Sequence, residues 1–429
     1  MKRIGARKGT FNANKYLFAY YFFAILPTLG LGLLNLTDHY KKAIWVWDVI
    51  VIIVFLIINI IYTKKIDKRS LKLAVPFFLV MFIQCIIYVF ALSNGHVDPL
   101  YIALPLIYSI HFINIFCLLQ NQENKEYEPL LFFKYFVLFA SLACIYNILK
   151  NFGVMTNINN ITNKYINISS FFTQRNAFGQ LLYLAVFSNI YIINRIKDKK
   201  YYFTLVLILL NLILSFSRTS IFSTIIFLFL FYGKKYINLK HKKNLILLLL
   251  IITILVIALL LISHNPHLKG LIDNFILRKE DGLTGRDTLW ASALNMLTGV
   301  GFIFGYGLGS SNIIMSKYGL TNSHNTIIEL LLTGGIILLC LYLIIYIHIV
   351  KRILGTEDNL FKNAYSSFLI SFIAYSFFEK IIIFSTGYAS VAFTIFVAAI
   401  PLLSSIHPHH KETNLLNPPE PLMINERKG

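Results

Sequence analysis

Residues 201–232 read YYFTLVLILLNLILSFSRTSIFSTIIFLFLFY, two apolar runs separated by the polar turn at 215–218. As α-helices, residues 201–216 would extend about 24 Å and residues 218–232 about 22 Å, at about 1.5 Å per residue. The hydrocarbon core of a bilayer is about 30 Å thick. Each run is therefore short for a membrane crossing, and we expect the turn that joins them to lie below the membrane surface.

The turn contains Arg218, a charged residue at a depth where charge is costly. Non-helical backbone and arginine side chains are tolerated there only when they face protein or a water-filled cavity. We therefore expect a polar cavity at this turn. The alternative is an arginine at a helix end whose side chain reaches up to the membrane surface.

The whole chain has the composition of a membrane protein. Of its 429 residues 57% are hydrophobic and 14% are charged, and the mean hydropathy is +0.68. Twelve spanning helices of about 20 residues each would use about 240 residues, which is close to this apolar share. This composition excludes a soluble globular enzyme, a disordered scaffold and a secreted disulfide-rich domain. The four cysteines form no CxxC pair, so we expect neither a disulfide framework nor a thiolate metal site.

The sequence predicts an all-α, polytopic integral membrane protein with about twelve transmembrane helices. Polar clusters separate twelve apolar segments, and none of the repeats that mark a solenoid is apparent. The predicted spans are 16–36, 43–62, 71–92, 100–119, 130–149, 177–193, 201–216, 218–232, 245–263, 325–350, 361–379 and 387–405. The first nine occupy residues 1–263 and the last three occupy residues 325–405. Residues 406–429 are predicted to form a disordered cytoplasmic tail.

Charge fixes the expected orientation. The net charge is +20, from 39 Lys plus Arg against 19 Asp plus Glu. Membrane proteins concentrate lysine and arginine on short cytoplasmic loops, and most of these cations fall on one side if the N-terminus is cytoplasmic. Both termini are then predicted to be cytoplasmic, and the charge requires no nucleic-acid partner. Because the first apolar run is long enough to span and lacks a small-residue cleavage site, we expect no cleavable signal peptide.

This orientation places two long segments, 150–176 and 264–324, outside the cytoplasm. Long ordered loops commonly carry function, so we expect residues 264–324 to form a large extracytoplasmic catalytic loop. Glycines 299, 301, 305, 307 and 309 lie within it, but their spacing is not G-x-G-x-x-G and no strand precedes them. The glycine run therefore predicts a compact turn that lets the loop fold back, rather than a nucleotide site.

Three polar motifs are predicted on the same outer side: the turn at 215–218, residues 285–290 and residues 322–325. Predicted spans six, eight and ten all begin there, with Arg175 and Asn176, Ser217 and Arg218, and Ser323 and His324 at their starts. Helix N-termini favour anions, and cations at those positions cost a few tenths to about 1 kcal/mol. Their repetition suggests an anion between the helices, and a lipid-linked phosphate or pyrophosphate fits that place. For each motif an ordinary role stays open, such as a loop charge at Arg286 or a helix cap at Ser323.

In order and spacing these motifs resemble the O-antigen ligase and Wzy polysaccharide polymerase superfamily of bacterial envelope glycan transferases. The resemblance covers roughly residues 174–345. It rests on Asn176, the Ser215-Phe216-Ser217-Arg218 turn, Gly285-Arg286 with Trp290, the glycine run, Ser323-His324-Asn325 with Glu329, and Gly334-Gly335. Residues 1–150 match only as generic membrane spans.

The resemblance implies an inverting, metal-independent glycosyltransferase without a cofactor, acting at the outer side of the bacterial cytoplasmic membrane. The donor would be a glycan linked to undecaprenyl pyrophosphate, and the acceptor a glycan or lipid-linked hydroxyl. His324, Arg218 and Arg286 are the implied catalytic residues: the arginines would neutralise the pyrophosphate, and His324 would act as general base or help hold the phosphates. The remaining predicted substrate contacts are Arg175, Asn176, Ser217, Asp287, Asn325 and Glu329. Because Glu329 follows His324 by five residues, direct support along one helix face is not expected.

The sequence leaves three alternatives open. A polymerase that builds capsule or lipopolysaccharide chains is favoured slightly over a ligase that transfers finished glycan to a lipid A-core or other acceptor. A glycolipid flippase or secondary transporter would instead show pseudo-symmetric halves around a midplane site. A relative of the cell-wall glycan polymerases would share the reaction type without these motifs. Membrane lipids are the other expected partners, and a chain-length regulator is a further candidate.

Overall fold

A computed structural model describes residues 12–34, 41–62, 68–95, 99–121, 127–155, 168–172, 174–236, 286–316 and 323–404. Predicted span nine (245–263), residues 264–285 of the predicted catalytic loop and the predicted tail (406–429) lie outside these ranges. Within them the regular structure is helical and contains no β-strand.

The described residues up to 236 form nine α-helices, preceded at α4 by a 3₁₀ turn at Pro99–Ala103. They are α1 Ala13–Leu34, α2 Lys41–Tyr62, α3 Lys68–Ser93, α4 Leu104–Asn121, α5 Leu130–Lys150, α6 Phe152–Met155, α7 Arg175–Ile196, α8 Lys200–Leu214 and α9 Arg218–Tyr236.

After residue 285 three short helices precede two long ones. They are α10 Arg286–Met296, α11 Gly299–Phe304, α12 Ser310–Ser316, α13 Thr326–Leu354 and α14 Asn359–Phe378. The last helical run consists of α15 Tyr388–Phe393, a π-helical turn Thr394–Ala399 and α16 Ile400–Leu403. Helix α13 is interrupted at Gly335, whose φ of 63° is not helical.

The helices follow the predicted spans wherever the structure describes them. Six described helices are long and apolar enough to cross a membrane, which is consistent with a multi-pass membrane protein. The predicted total of twelve spans stays a prediction. Helix α8 has only 15 residues, as expected for the short run before the polar turn. Helix α9 has 19 residues and extends four residues beyond the predicted end at 232.

Helix α7 is the centre of the bundle. Within the apolar stretch of this helix 89% of the residues are buried, although the mean hydropathy of the helix is the lowest among the six helices that could span a membrane. The ring of Phe187 lies 4.5 Å from that of Phe368 on α14 and 5.5 Å from those of Phe133 on α5 and Phe227 on α9. Helices such as α2 and α3 instead expose large apolar side chains, as expected for surfaces that face lipid. Packing inside the protein therefore fixes the position of α7, and the residues at its two ends are held rigidly.

A non-helical stretch at residues 379–387, here called the buried segment, enters the bundle between α14 and α15. Its residues 381–384 are almost completely buried. The hydroxyl of Tyr342 donates to the carbonyl of Ile383 (2.7 Å), and the amide of Phe384 donates to Thr394 Oγ1 (2.8 Å). Irregular backbone at membrane depth is tolerated when protein groups satisfy it in this way. The sequence predicted only a short connection here.

Candidate functional site

The polar turn between α8 and α9 is buried, whereas its arginine is exposed. Ser215 and Ser217 are enclosed, and Phe216 adopts a left-handed backbone with φ of 50°. The amide of Ser217 donates to Ser215 Oγ (3.2 Å), and the hydroxyls of Ser217 and Ser220 are 2.9 Å apart. Arg218 is the first residue of α9, and its side chain is exposed. The turn thus carries a cation at the protein surface while its serines hold the backbone.

Glycine lets α7 approach this turn closely. A Cβ atom at Gly179 would overlap Ser217 and would lie 2.8 Å from Ser220 Oγ. Gly179 is four residues after Arg175, one turn into α7. The starts of α7 and α9 therefore lie side by side, and three of the predicted site residues, Arg175, Asn176 and Ser217, are brought to one end of the bundle.

The second motif forms the entry to α13. Asn325, not Ser323, is the N-cap: its Oδ1 accepts from the amides of Ile327 (2.9 Å) and Ile328 (3.1 Å). Its amide nitrogen donates to the carbonyl of Phe377 (3.1 Å). Asn325 therefore has a structural role, and its predicted substrate contact stays a prediction. His324 has a left-handed backbone with φ of 48°, so both motif turns contain a strained non-glycine residue.

Glu379, which the sequence analysis did not identify, joins the start of α7 to the histidine turn before α13. It follows the last residue of α14 and is buried. Its Oε1 accepts from Asn176 Nδ2 (2.9 Å), and its Oε2 lies 3.7 Å from His324 Nδ1. Residues that are 203 positions apart in sequence are thereby in direct contact.

Glu329 is held by a separate set of partners. Its Oε1 lies 2.6 Å from Lys380 Nζ and also accepts from Ser311 Oγ, while its Oε2 accepts from Ser323 Oγ (3.0 Å). Only 1% of the Glu329 side chain is exposed, against 30% of Lys380. A buried carboxylate needs such partners, because an unpaired one would be strongly destabilising. Glu329 therefore ties α12, the turn before α13 and the buried segment together, and its contact with that turn is through Ser323.

Trp290 brings the third motif to the same place. Its indole Nε1 donates to the carbonyl of Ser323 (2.9 Å), next to His324. Phe378 has ring contacts with both Trp290 (6.5 Å between centroids) and Phe222 of α9 (6.2 Å).

These contacts place two arginines near the histidine turn. Arg286 starts α10 four residues before Trp290, and Arg218 starts α9 four residues before Phe222. Each is about 6 Å along its helix axis from a residue whose ring contacts Phe378, at about 1.5 Å per residue. The structure describes the backbone but not the side chains of Arg286 and Asp287.

The glycine run is a compact turn packed on α13, as its spacing predicts. Gly305 has φ of 71°, and a Cβ atom on it would lie 2.6 Å from the carbonyl carbon of Thr333 and 2.7 Å from the amide nitrogen of Gly335. The amide of Tyr306 donates to the carbonyl of Leu332 (2.8 Å). The run therefore fits against the helix only because both sides of the contact lack side chains, and it docks where α13 is interrupted at Gly335.

The anion expected between the helix starts is supplied in part by the chain itself. The carboxylate of Glu379 contacts Asn176 at the start of α7 and lies near His324 just before α13. An acidic group near a helix N-terminus is favourable by about 0.3 to 1 kcal/mol. The helix starts are thus already partly neutralised.

The assembled site contains a histidine, two carboxylates, a lysine and an exposed arginine at one end of the bundle. Among the described residues no group of three or more His, Cys, Asp or Glu is placed to hold a metal ion. An imidazole beside a carboxylate can accept a proton from a hydroxyl, and guanidinium groups can bind phosphates. Glu379 and Lys380 carried no distinctive sequence signal, since charges commonly follow the end of an apolar span.

The comparison with protein families agrees with the resemblance seen in the motifs. Residues 203–343 match the family model described as O-antigen ligase. No curated protein matches the chain. The matched residues include Ser217, Arg218, Arg286, His324 and Glu329, and they end before Glu379 and Lys380. The resemblance to the O-antigen ligase and Wzy superfamily is thus confirmed over residues 203–343.

Proposed function

We infer from this O-antigen ligase match that the chain is a glycan-processing membrane enzyme of that superfamily, and we propose that it is a surface polysaccharide polymerase. It would transfer a glycan from undecaprenyl pyrophosphate to a sugar hydroxyl at the outer side of the cytoplasmic membrane. The observation that carries the proposal is the packing of Trp290 and Phe222 against Phe378, because it brings the first turns of the Arg286 and Arg218 helices towards the His324 turn.

The proposed chemistry divides between the cations and the imidazole. Arg218 and Arg286 bind the pyrophosphate through bidentate, charge-assisted hydrogen bonds and stabilise it as it leaves. His324 accepts the proton of the acceptor hydroxyl, so that the oxygen attacks the anomeric carbon from the face opposite the pyrophosphate and inverts its configuration. Because Glu379 and Glu329 occupy the inner part of the cluster, the diphosphate binds farther out, where Arg218 is exposed.

A ligase is the second candidate, since it uses the same cations and histidine and differs in its acceptor. The O-antigen ligase description of the matched family favours it. A flippase or transporter is disfavoured because the Phe216 and His324 turns and the side chains of Glu329 and Glu379 gather at one end of the bundle, in the second half of the chain. Such carriers place their ionisable residues near the midplane, between related halves.

Glycan analysis of a strain that lacks this protein tests the proposal and separates its two forms. A polymerase predicts material capped with a single repeat unit, whereas a ligase predicts long polymer that stays attached to the lipid carrier. Expression of the wild-type chain should restore the normal product, and His324→Ala expressed at the same level should not. Normal glycan in both the deletion strain and the His324→Ala strain would refute the proposed function.

Metal independence is a separate expectation. The purified enzyme should retain its rate in excess chelator, because the proposal assigns charge stabilisation to the two arginines. Strong inhibition that an added divalent ion reverses would show that the arginines do not account for leaving-group stabilisation.

A further inference from the structure

We propose that Glu379 is a positioning residue that orients the imidazole of His324 through Nδ1, and that Asn176 fixes Glu379 for this task. The inference rests on the proposed function, because it assigns Glu379 and Asn176 to the same transfer reaction. It also replaces the substrate contact that the sequence predicted for Asn176.

The geometry forms a chain of three side chains from three elements. Asn176 Nδ2 donates to Glu379 Oε1 (2.9 Å), and Glu379 Oε2 faces His324 Nδ1 at 3.7 Å. The backbone of Glu379 is also fixed: its carbonyl accepts from Thr326 Oγ1 (2.9 Å), and its amide donates to the carbonyl of Tyr375 (3.0 Å). The carboxylate is therefore held by α7, and the backbone that carries it is held by the first residue of α13.

This placement suits an imidazole that acts as a base. A carboxylate at Nδ1 favours the tautomer with its proton on Nδ1, which leaves the lone pair of Nε2 for the acceptor hydroxyl. The His324 side chain is 27% exposed and that of Glu379 is 10% exposed, so the imidazole is the more accessible of the two. A distance of 3.7 Å is longer than a hydrogen bond, and catalytic hydrogen bonds commonly shorten when the substrate binds.

The second carboxylate of the cluster is already engaged. Glu329 accepts from Lys380, Ser311 and Ser323, so its two oxygens are used to hold the backbone elements together. Among the described residues, the charged groups at the histidine turn thus include Glu379, Glu329 and, through Glu329, Lys380. Of the two carboxylates, Glu379 is the one whose oxygen faces the imidazole.

The proposed step balances as follows. The acceptor hydroxyl gives its proton to His324 Nε2 while its oxygen forms a bond to the anomeric carbon of the donor sugar. The bond from that carbon to the pyrophosphate oxygen breaks, and its electron pair leaves with the pyrophosphate. Glu379 stays ionised and stabilises the imidazolium until water removes the proton.

The test uses purified full-length protein in lipid vesicles with a lipid-linked glycan donor. Glu379→Gln should lower kcat at least about 100-fold while leaving KM for the donor within about threefold, because it removes orientation rather than donor contacts. Glu379→Asp, which keeps the carboxylate, should restore part of kcat and give a rate between those of Glu379→Gln and the wild type.

A double-mutant cycle tests the role of Asn176. Asn176→Ala should lower kcat about tenfold in the wild type and cause little further loss in the Glu379→Gln background, because residues in one network are not additive. If Glu379→Gln does not fold, the single Asn176→Ala variant decides. An unchanged kcat, or a raised KM for the donor with unchanged kcat, would overturn the inference.

Two controls separate the inference from the proposed function. Glu128→Gln removes a carboxylate that pairs with an arginine at the other end of α7, and it should leave kcat and the KM for the donor unchanged. If His324→Ala is inactive but Glu379→Gln keeps both kcat and the KM for the donor within about threefold, the positioning role is wrong and the transferase proposal stands. If His324→Ala is fully active, the proposed function itself fails.

Discussion

The two ends of α7 carry similar residues in opposite arrangements. At the C-terminal end Arg195 pairs with Glu128 (2.7 Å) and Asp358 (3.1 Å), and the same carboxylate of Glu128 accepts from Tyr191 (3.2 Å). Arginine and carboxylates there satisfy one another. At the N-terminal end the carboxylate of Glu379 instead contacts an amide and an imidazole.

The difference separates a structural cluster from one suited to chemistry. Arg195 links the last turn of α7 to two of the segments between helices on one side of the bundle. Its cation lies at a helix C-terminus, where positive charge is favourable. The Arg175 end instead combines cations at helix starts with left-handed residues inside its two motif turns, Phe216 and His324. The left-handed residue at the other end, Lys197, caps the C-terminus of α7, where this conformation is common. Strained backbone of this kind concentrates at functional sites and persists only where the surrounding structure holds it.

Among the variants that compare the two ends of α7, the largest expected effect comes from the arginines that we assign to the diphosphate. Arg218→Ala and Arg286→Ala should each remove about 1.5 to 3 kcal/mol of binding in the transition state, or roughly 10- to 150-fold in kcat/KM. Replacing either arginine with lysine should keep only part of the wild-type kcat/KM, because an ammonium group cannot form the two parallel hydrogen bonds of a guanidinium group. The measurement is the transfer rate with a lipid-linked donor.

Arg195→Ala is the matched control for that experiment, since it removes an arginine from the opposite end of the same helix. Its transfer rate should stay within about twofold of the wild type, because partly exposed ion pairs contribute little. Equal losses at Arg195 and Arg218 would show that the two ends do not differ in function.

A smaller effect tests the close packing of α7 on the polar turn. Gly179→Ala should destabilise the protein by about 1 to 3 kcal/mol, because the added methyl group overlaps Ser217. Gly30→Ala, within α1, should stabilise by up to about 1 kcal/mol, because nothing lies within 4 Å of the new atom and alanine favours the helix. Thermal unfolding of the two variants in the same detergent measures the difference, and shifts of the same sign would contradict the contact.

The smallest effect is expected at Glu128. Glu128→Gln should cost less than about 1 kcal/mol of folding free energy, because the pair with Arg195 is 39% and 38% exposed, respectively, and is screened. Unfolding measured at low and high salt should show the wild type approaching the variant as salt rises. A loss of several kcal/mol would mean that this cluster, rather than the aromatic packing around Phe187, fixes the position of α7.

The sequence predicted the helices and the motif turns because both depend on local composition. A run of about 20 apolar residues has few alternatives to a spanning helix, and a polar turn such as 215–218 stands out within it. The docking of the glycine run on α13 was also foreseeable, because side-chain-free backbone is what close approach requires.

The partners of the motif residues were not predictable in the same way. Glu379 lies 55 residues after His324 and 203 after Asn176, and only the packing of α7, α13 and α14 brings the three together. In sequence, Glu379 and Lys380 look like ordinary charges after an apolar span. The motif predicted that Asn325 contacts substrate, and this contact stays a prediction. The hydrogen bonds of Asn325 show that it caps α13.

The most direct test of the account is the release of undecaprenyl pyrophosphate by the purified full-length protein in vesicles, compared with the His324→Ala variant. General base catalysis contributes about 10²- to 10⁴-fold, so the variant should release the carrier at least about 100-fold more slowly while it still binds the donor through the arginines. Equal rates of carrier release by the two proteins would contradict the assignment of transfer chemistry to this end of the bundle.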